Sequence, residues 1–188
     1  RHDTLGLSDQ ELMLQVSGQA MLPEGLYFPD TYFIDANSSD LEVYKRAYQA
    51  MLRRLSQAWA SRAPNLPYRS MQEALVMASI VEKETAVDAE RAMIAGVFIN
   101  RLRLGMRLQT DPTVIYGMGE RYRGNITKKD LMTDTPYNTY TRSGLPPTPI
   151  ALPGLASIQA ALHPADTRAL YFVANGNGGH VFNESLTA

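Results

Sequence analysis

Two carboxylates, Glu82 and Glu84, close a segment that is mostly apolar from Met71 onward. With successive helical residues about 100° apart, Ala74, Met77, Ala78 and Val81 share one face, and Glu84 falls within that stripe. Glu82 lies near its edge and Lys83 points away. A carboxylate on a buried face loses hydration, and one in the last helical turn meets the negative end of the helix dipole. Both effects disfavour the anion and raise the pKa. A general acid that must keep its proton near neutral pH needs such a setting. The same position also suits a structural ion pair with Arg101 or Arg103, and periodicity alone leaves the two readings open.

Polar groups suited to sugar recognition follow. Gln109, Thr110 and Asp111 precede Pro112, and Tyr137-Asn138-Thr139-Tyr140 offers hydroxyls and amides beside aromatic faces. Sugar rings stack through their apolar faces and hydrogen-bond through their hydroxyls, so this mixture fits a carbohydrate site, although turn-stabilising Asn and Thr would explain it as well. The aromatic-dense stretch from Gly25 to Phe33 has the same two readings, sugar cleft or core.

Other chemistries find little support. The three histidines, His2, His163 and His180, are far apart, and with no cysteine in the chain neither a zinc site nor a thiolate nucleophile is expected. No Gly-x-Ser-x-Gly elbow occurs, and Gly176-Asn177-Gly178-Gly179 lacks the following helix that a phosphate site requires. Neither metal nor cofactor is expected. A net charge of -1, from 18 basic and 19 acidic residues, lacks the excess that nucleic-acid binding demands. The 188 residues, 45% of them hydrophobic, suffice for one cored domain. The start at Arg1 shows neither initiator Met nor signal peptide, so a soluble piece of a longer protein is expected.

The elements that must position these groups can be read from caps and breakers. Ser8-x-x-Glu11 and Ser39-x-x-Glu42 are capping boxes. The first opens a helix to about Gln19, and the second opens a long helix with Tyr44, Ala47, Tyr48, Met51, Leu52, Leu55 and Trp59 on one face. Arg46, Arg53 and Arg54 are read as a solvated face of that helix. The segment from Gly25 to Phe33, interrupted by Pro29, suits an extended segment or edge strand. Pro64 and Pro67 divide a front lobe, residues 1–66, from a core of residues 67–188. The Glu-bearing helix and one capped by Asp88 and stopped by Gly105 form a tight hairpin. Residues 106–122 are too irregular to assign, and Thr127 opens a short helix. Five prolines between Pro136 and Pro153 predict an ordered loop. Leu155 to Leu162 is helical, and the segments around Tyr171 and His180 form a β-hairpin with a glycine-rich turn. The expected class is α+β, mainly helical, with a lysozyme-like cleft, a Pro-rich active-site loop and a C-terminal β-hairpin.

Taken in order, Ala78-Ser79-Ile80-Val81-Glu82-Lys83-Glu84-Thr85, Val97-Phe98-Ile99-Asn100-Arg101-Leu102, Leu108-Gln109-Thr110-Asp111-Pro112-Thr113-Val114-Ile115-Tyr116, Tyr137-Asn138-Thr139-Tyr140 and Gly144-Leu145-Pro146-Pro147 resemble the bacterial endolytic murein transglycosylase family, also called YceG-like. The resemblance runs from the Gly25 to Tyr32 stretch to Gly179-His180-Val181-Phe182-Asn183, most of the chain. It implies lytic cleavage of the β-1,4 bond between N-acetylmuramic acid and N-acetylglucosamine in nascent peptidoglycan, leaving 1,6-anhydromuramyl ends. The family's catalytic glutamate falls on Glu84, which would protonate the leaving oxygen and then act as base on the muramyl C6 hydroxyl. Gln109, Asp111, Tyr137, Asn138, Thr139, Tyr140 and His180 are the expected substrate contacts. The resemblance further implies an N-terminal membrane anchor and a LysM-like domain, neither in this chain, a periplasmic site at the bacterial inner membrane, and association with peptidoglycan synthases. Two alternatives stand beside it. One is a hydrolytic muramidase in which Asp111 positions a water opposite Glu84, and the other is a peptidoglycan-binding module in which Glu84 is structural.

Overall fold

In the computed structural model, residues 1–186 are described, so the last two positions of the expected 67–188 core lie outside the described residues. Among the described residues, seven α-helices and one two-stranded antiparallel sheet make a mainly helical α+β arrangement. None of the described helices is long and apolar enough to cross a membrane.

Helix α1 (Asp9–Ser17) and helix α2 (Asp40–Ala60) both open on complete capping boxes, at Ser8 with Glu11 and at Ser39 with Glu42. The buried stripe of α2 is Ala47, Met51, Leu55 and Ala58, whereas Tyr44 stays exposed and Trp59 is only partly buried. Arg54 is not simply solvated, because its guanidinium lies 4.4 Å from the centre of the Phe28 ring. The aromatic stretch from Gly25 to Phe33 is irregular and forms no strand; Phe28 enters the core while Phe33 is exposed.

Helix α3 (Met71–Glu84) is the centre of the molecule. Ser70 caps it by accepting from the Glu73 N–H, and Ala, Leu, Met, Glu and Lys, all strong helix formers, supply much of its length. Sequence periodicity predicts one buried stripe, but every residue from Ala74 to Val81 is buried. The reason is that α2, α4 (Arg91–Arg103), α5 (Asp111–Met118) and α7 (Leu155–Leu162) all pack on it. Small residues, Ala74, Ala78 and Ser79, let these neighbours close in, and Ser79 accepts the Ile150 N–H at 3.0 Å. Leu75, Met77, Ile80 and Val81 are almost wholly enclosed, each contributing roughly 1.5–3 kcal/mol.

A 3₁₀ turn, Asp88–Glu90, precedes α4, so Asp88 begins that turn rather than capping the helix. Residues 106–122 contain α5 followed by a second 3₁₀ turn, Gly119–Arg121. Pro112 falls at the helix start, where its missing N–H costs nothing. Helix α6 (Lys128–Met132) opens on the expected Thr127 cap. From Thr133 to Pro153 the backbone forms turns and bends with neither helix nor strand.

Helix α4 docks the chain that leads into the sheet. A Cβ on Gly96 would stand 2.7 Å from the Ala165 carbonyl oxygen, so only glycine allows this approach. Asn100 Nδ2 then donates to the carbonyls of Thr167 and Ala169, and Arg101 Nε to that of Leu170. Strands β1 (Tyr171–Ala174) and β2 (His180–Asn183) follow, with Phe172 opposite Phe182 and Ala174 opposite His180. Phe172 turns its edge to Phe98 of α4 at 5.6 Å, while Val173 and Val181 are exposed.

Candidate active site

Where α3 ends, its last residue faces a cavity of about 220 Å³ lined by Glu84, Arg101, Leu108, Gln109, Asp111, Tyr140 and Phe172. Six pieces of chain thus converge: the C-terminus of α3, the last turn of α4, the segment between α4 and α5, the start of α5, the loop after α6, and the first strand of the hairpin. No residue from the aromatic stretch 25–33 lines this cavity.

Neither arginine offered by the sequence pairs with Glu84. Arg101 is spent on the carbonyls of Arg107, Leu108 and Leu170, and Arg103 on that of Asn65. Instead Glu84 Oε1 accepts the hydroxyl of Thr110. Burial pushes the Glu84 carboxyl above its ordinary value of 4.5, and the nearby charge of Asp111 adds to the rise. The Thr110 hydrogen bond and the charge of His180 oppose it without reversing it.

Glu82, by contrast, is built into the frame. Its Oε2 accepts the Gly154 N–H at 3.0 Å and the Ser157 hydroxyl at 2.6 Å, with Arg91 Nη1 at 3.7 Å. Gly154 is the N-cap of α7, so Glu82 satisfies one of the unpaired N–H groups at that helix start and places its charge at the positive end of the helix dipole.

The expected contacts divide into three groups. Gln109, Asp111 and Tyr140 reach the cavity. Gln109 does so from a left-handed backbone, φ 52°, and the Tyr140 hydroxyl donates to Asp111 Oδ1. Burial and the Asp111 bond push the Tyr140 phenol well above its usual range. His180 lies behind Phe172, its ring centre 5.2 Å away in an edge contact. Its Nδ1 is 2.8 Å from Glu90 Oε2 and its backbone N–H donates to Glu90 Oε1, also at 2.8 Å. That pair holds the Glu90 carboxyl below the usual carboxylate range.

Tyr137, Asn138 and Thr139 face inward and away from the cavity. Asn138 is 1% exposed, donates Nδ2 to the carbonyls of Leu131 and Thr133, and accepts from the N–H groups of Tyr140 and Thr141. Tyr137 bonds Thr148 and packs on Tyr116. Thr139 Oγ1 accepts the Thr110 N–H at 3.0 Å and meets Thr113 Oγ1 at 2.8 Å. These three residues shape the loop that carries Tyr140, and the Thr139 carbonyl also accepts the N–H of Gln109 from the segment before α5 at 3.1 Å. Thr110 and Glu90 are the partners that sequence reasoning missed. A Thr ahead of Asp-Pro at a helix start was the available signal for the first.

The whole chain can be set beside known proteins. Residues 3–188 match the YceG-like family. This chain belongs to that family. It is 42% identical over 163 residues to the endolytic murein transglycosylase of Bacillus subtilis (strain 168), covering 87% of this chain and 45% of that protein. The endolytic murein transglycosylase of Streptococcus pneumoniae serotype 2 is 34% identical over 178 residues, 92% of this chain and 32% of the relative. The chain therefore spans less than half the length of these curated relatives. A crystal structure of a putative YceG-like protein from Listeria monocytogenes superposes with a TM-score of 0.73 at 39% identity, covering 88% of this chain and 53% of the other. The two chains thus share one fold over that span.

Proposed function

We propose that this chain is a lytic transglycosylase domain that cleaves the β-1,4 bond between N-acetylmuramic acid and N-acetylglucosamine within peptidoglycan strands. The observation that carries the reading is a single buried carboxyl, Glu84, facing the cavity with its proton favoured. Relatives named endolytic murein transglycosylase support the substrate class.

In this mechanism protonated Glu84 gives its proton to the glycosidic oxygen as the bond to C1 breaks. The sugar left behind carries oxocarbenium-like charge. Glu84, now a carboxylate, takes the proton of the muramyl C6 hydroxyl as O6 closes onto C1. Bond for bond the reaction is balanced without water, and Glu84 ends protonated. The cavity between α3 and the hairpin serves as the lysozyme-like cleft, with the Pro-rich loop contributing Tyr140. Gln109 and Asp111 then contact the sugar, and His180 supports the wall behind Phe172. The full-length protein would act at the periplasmic face of the inner membrane, beside peptidoglycan synthases.

Asp111 gives the hydrolytic reading its footing, since it shares the cavity with Glu84. Its Oδ1 is occupied by Tyr140, which leaves one oxygen to orient a water. Mass analysis of digested peptidoglycan separates the cases. Anhydromuramyl ends, lighter than reducing ends by one water, support lytic chemistry; reducing ends support hydrolysis, and no product supports a binding module. Glu84→Gln keeps the shape but has no acid proton, and should abolish cleavage with the fold intact. A fully active Glu84→Gln variant overturns the proposal.

A further inference from the structure

Thr110 touches Glu84 directly, and everything around Thr110 holds it still. Its N–H goes to Thr139 Oγ1 at 3.0 Å, and its carbonyl accepts from Thr113 Oγ1 at 2.7 Å. The hydroxyls of Thr113 and Thr139 meet at 2.8 Å, and all three threonines are at most 2% exposed. Gln109 delivers the chain into this cluster through its left-handed turn, fixed by its own N–H to the Thr139 carbonyl. A hydroxyl has one proton to donate, and Thr110 gives its own to Glu84 Oε1.

We infer that Thr110 is a positioning residue for Glu84: backed by Thr113 and Thr139, its hydroxyl holds Oε1 so that Oε2 is the oxygen that gives and later retakes the proton. This rests on the reading of Glu84 as the acid and base. When an oxygen of a carboxyl accepts a hydrogen bond, the acid proton belongs on the other oxygen. The same hydroxyl stabilises the anion formed once that proton has left. Thr110 therefore acts in both halves of the reaction, as a rotational lock first and as an anion donor second.

The charges that face Glu84 are few. Asp111 at the head of α5 favours its protonated form, and His180 on β2 favours the anion. Arg101 of α4 lines the cavity but is committed to three carbonyls, and Tyr140 of the loop is committed to Asp111. On α3 itself Lys83 is exposed and Glu82 is committed to α7. Removing the Thr110 hydroxyl therefore takes away a direct hydrogen bond to the anion and leaves burial and Asp111 opposed by His180 alone.

The test compares wild type, Thr110→Val and Thr110→Ser on purified peptidoglycan strands. It follows kcat and kcat/KM across pH and the titration of Glu84 by carboxyl-carbon NMR. Thr110→Val should move the alkaline limb of the profile and the Glu84 titration to higher pH. Its kcat should fall on the order of ten- to a hundredfold with KM nearly unchanged. Thr110→Ser, which keeps the hydroxyl, should restore both. Thr110→Ala gives the same readout if the valine variant does not fold. An unmoved alkaline limb with unchanged kcat overturns the inference, as does a serine variant as impaired as the valine one. Glu84→Gln run in parallel keeps the two levels apart: if it is inactive while Thr110 variants behave as wild type, only the positioning role falls, whereas an active Glu84→Gln overturns the reading beneath it.

Discussion

Glu82 and Glu84 are two residues apart on one helix end, yet the structure gives them different surroundings, and Glu82→Ala exposes the difference. The substitution strips the acceptor from the buried Ser157 hydroxyl and from the Gly154 N–H at the start of α7. A buried hydroxyl left without an acceptor costs about 1–3 kcal/mol, and the lost hydrogen bond to the helix-start N–H about 1 kcal/mol. The Arg91 contact at 3.7 Å, with Glu82 about a third exposed, adds little. The sum is about 3 kcal/mol. For a chain of this size each kcal/mol shifts Tm by roughly 2–4 °C, so melting should fall by roughly 6–12 °C. Far-UV circular dichroism during heating measures it. Turnover at a temperature where both proteins are folded should stay near wild type, because Glu82 does not line the cavity. A drop in Tm below about 2 °C would refute the capping argument. Loss of turnover in a fully folded Glu82→Ala protein would refute the division of labour between the two carboxylates.

Two further outcomes follow from the same geometry. Because the folded-state pKa of Glu84 is raised, the native protein binds more protons than the unfolded chain as pH climbs past 4.5, so this group lowers stability with rising pH. Glu84→Gln should therefore melt at about the wild-type temperature at acid pH and above it at neutral pH; a gap that narrows as pH rises would contradict the sign. Asn138→Ala should act on folding rather than binding, costing about 3 kcal/mol or more through four lost backbone bonds, with KM of the surviving folded protein unchanged in steady-state assays.

Much of the fold was legible because it rests on local signals. The Ser8, Ser39 and Thr127 caps, and the glycine-rich turn between β1 and β2, are written in neighbouring residues. Helix α5 was hidden because Pro112, Gly117 and Gly119 punctuate a segment of only eight helical residues. The single-stripe picture of α3 was incomplete, since a helix enclosed by four others has no polar face to set a period. Its stripe nevertheless runs on to Glu84 and leaves Glu82 at the edge, and the two acids do meet different neighbours. In Tyr137-Asn138-Thr139-Tyr140 residue type suggested sugar contacts throughout, but only the spatial partners reveal that Asn138 and Thr139 are spent on backbone. The Glu90 to His180 pair joins residues ninety positions apart, beyond any local pattern.

The enclosure of α3 also separates the two walls of the cavity in time. Amides buried in a helix packed on every side exchange with solvent only when the whole molecule opens, whereas a two-stranded ribbon with exposed valines opens at smaller cost. Glu84, at the end of that helix, therefore keeps its place through openings of the ribbon that carries Phe172 and His180; on the proposed reading, a glycan strand would enter from the hairpin side.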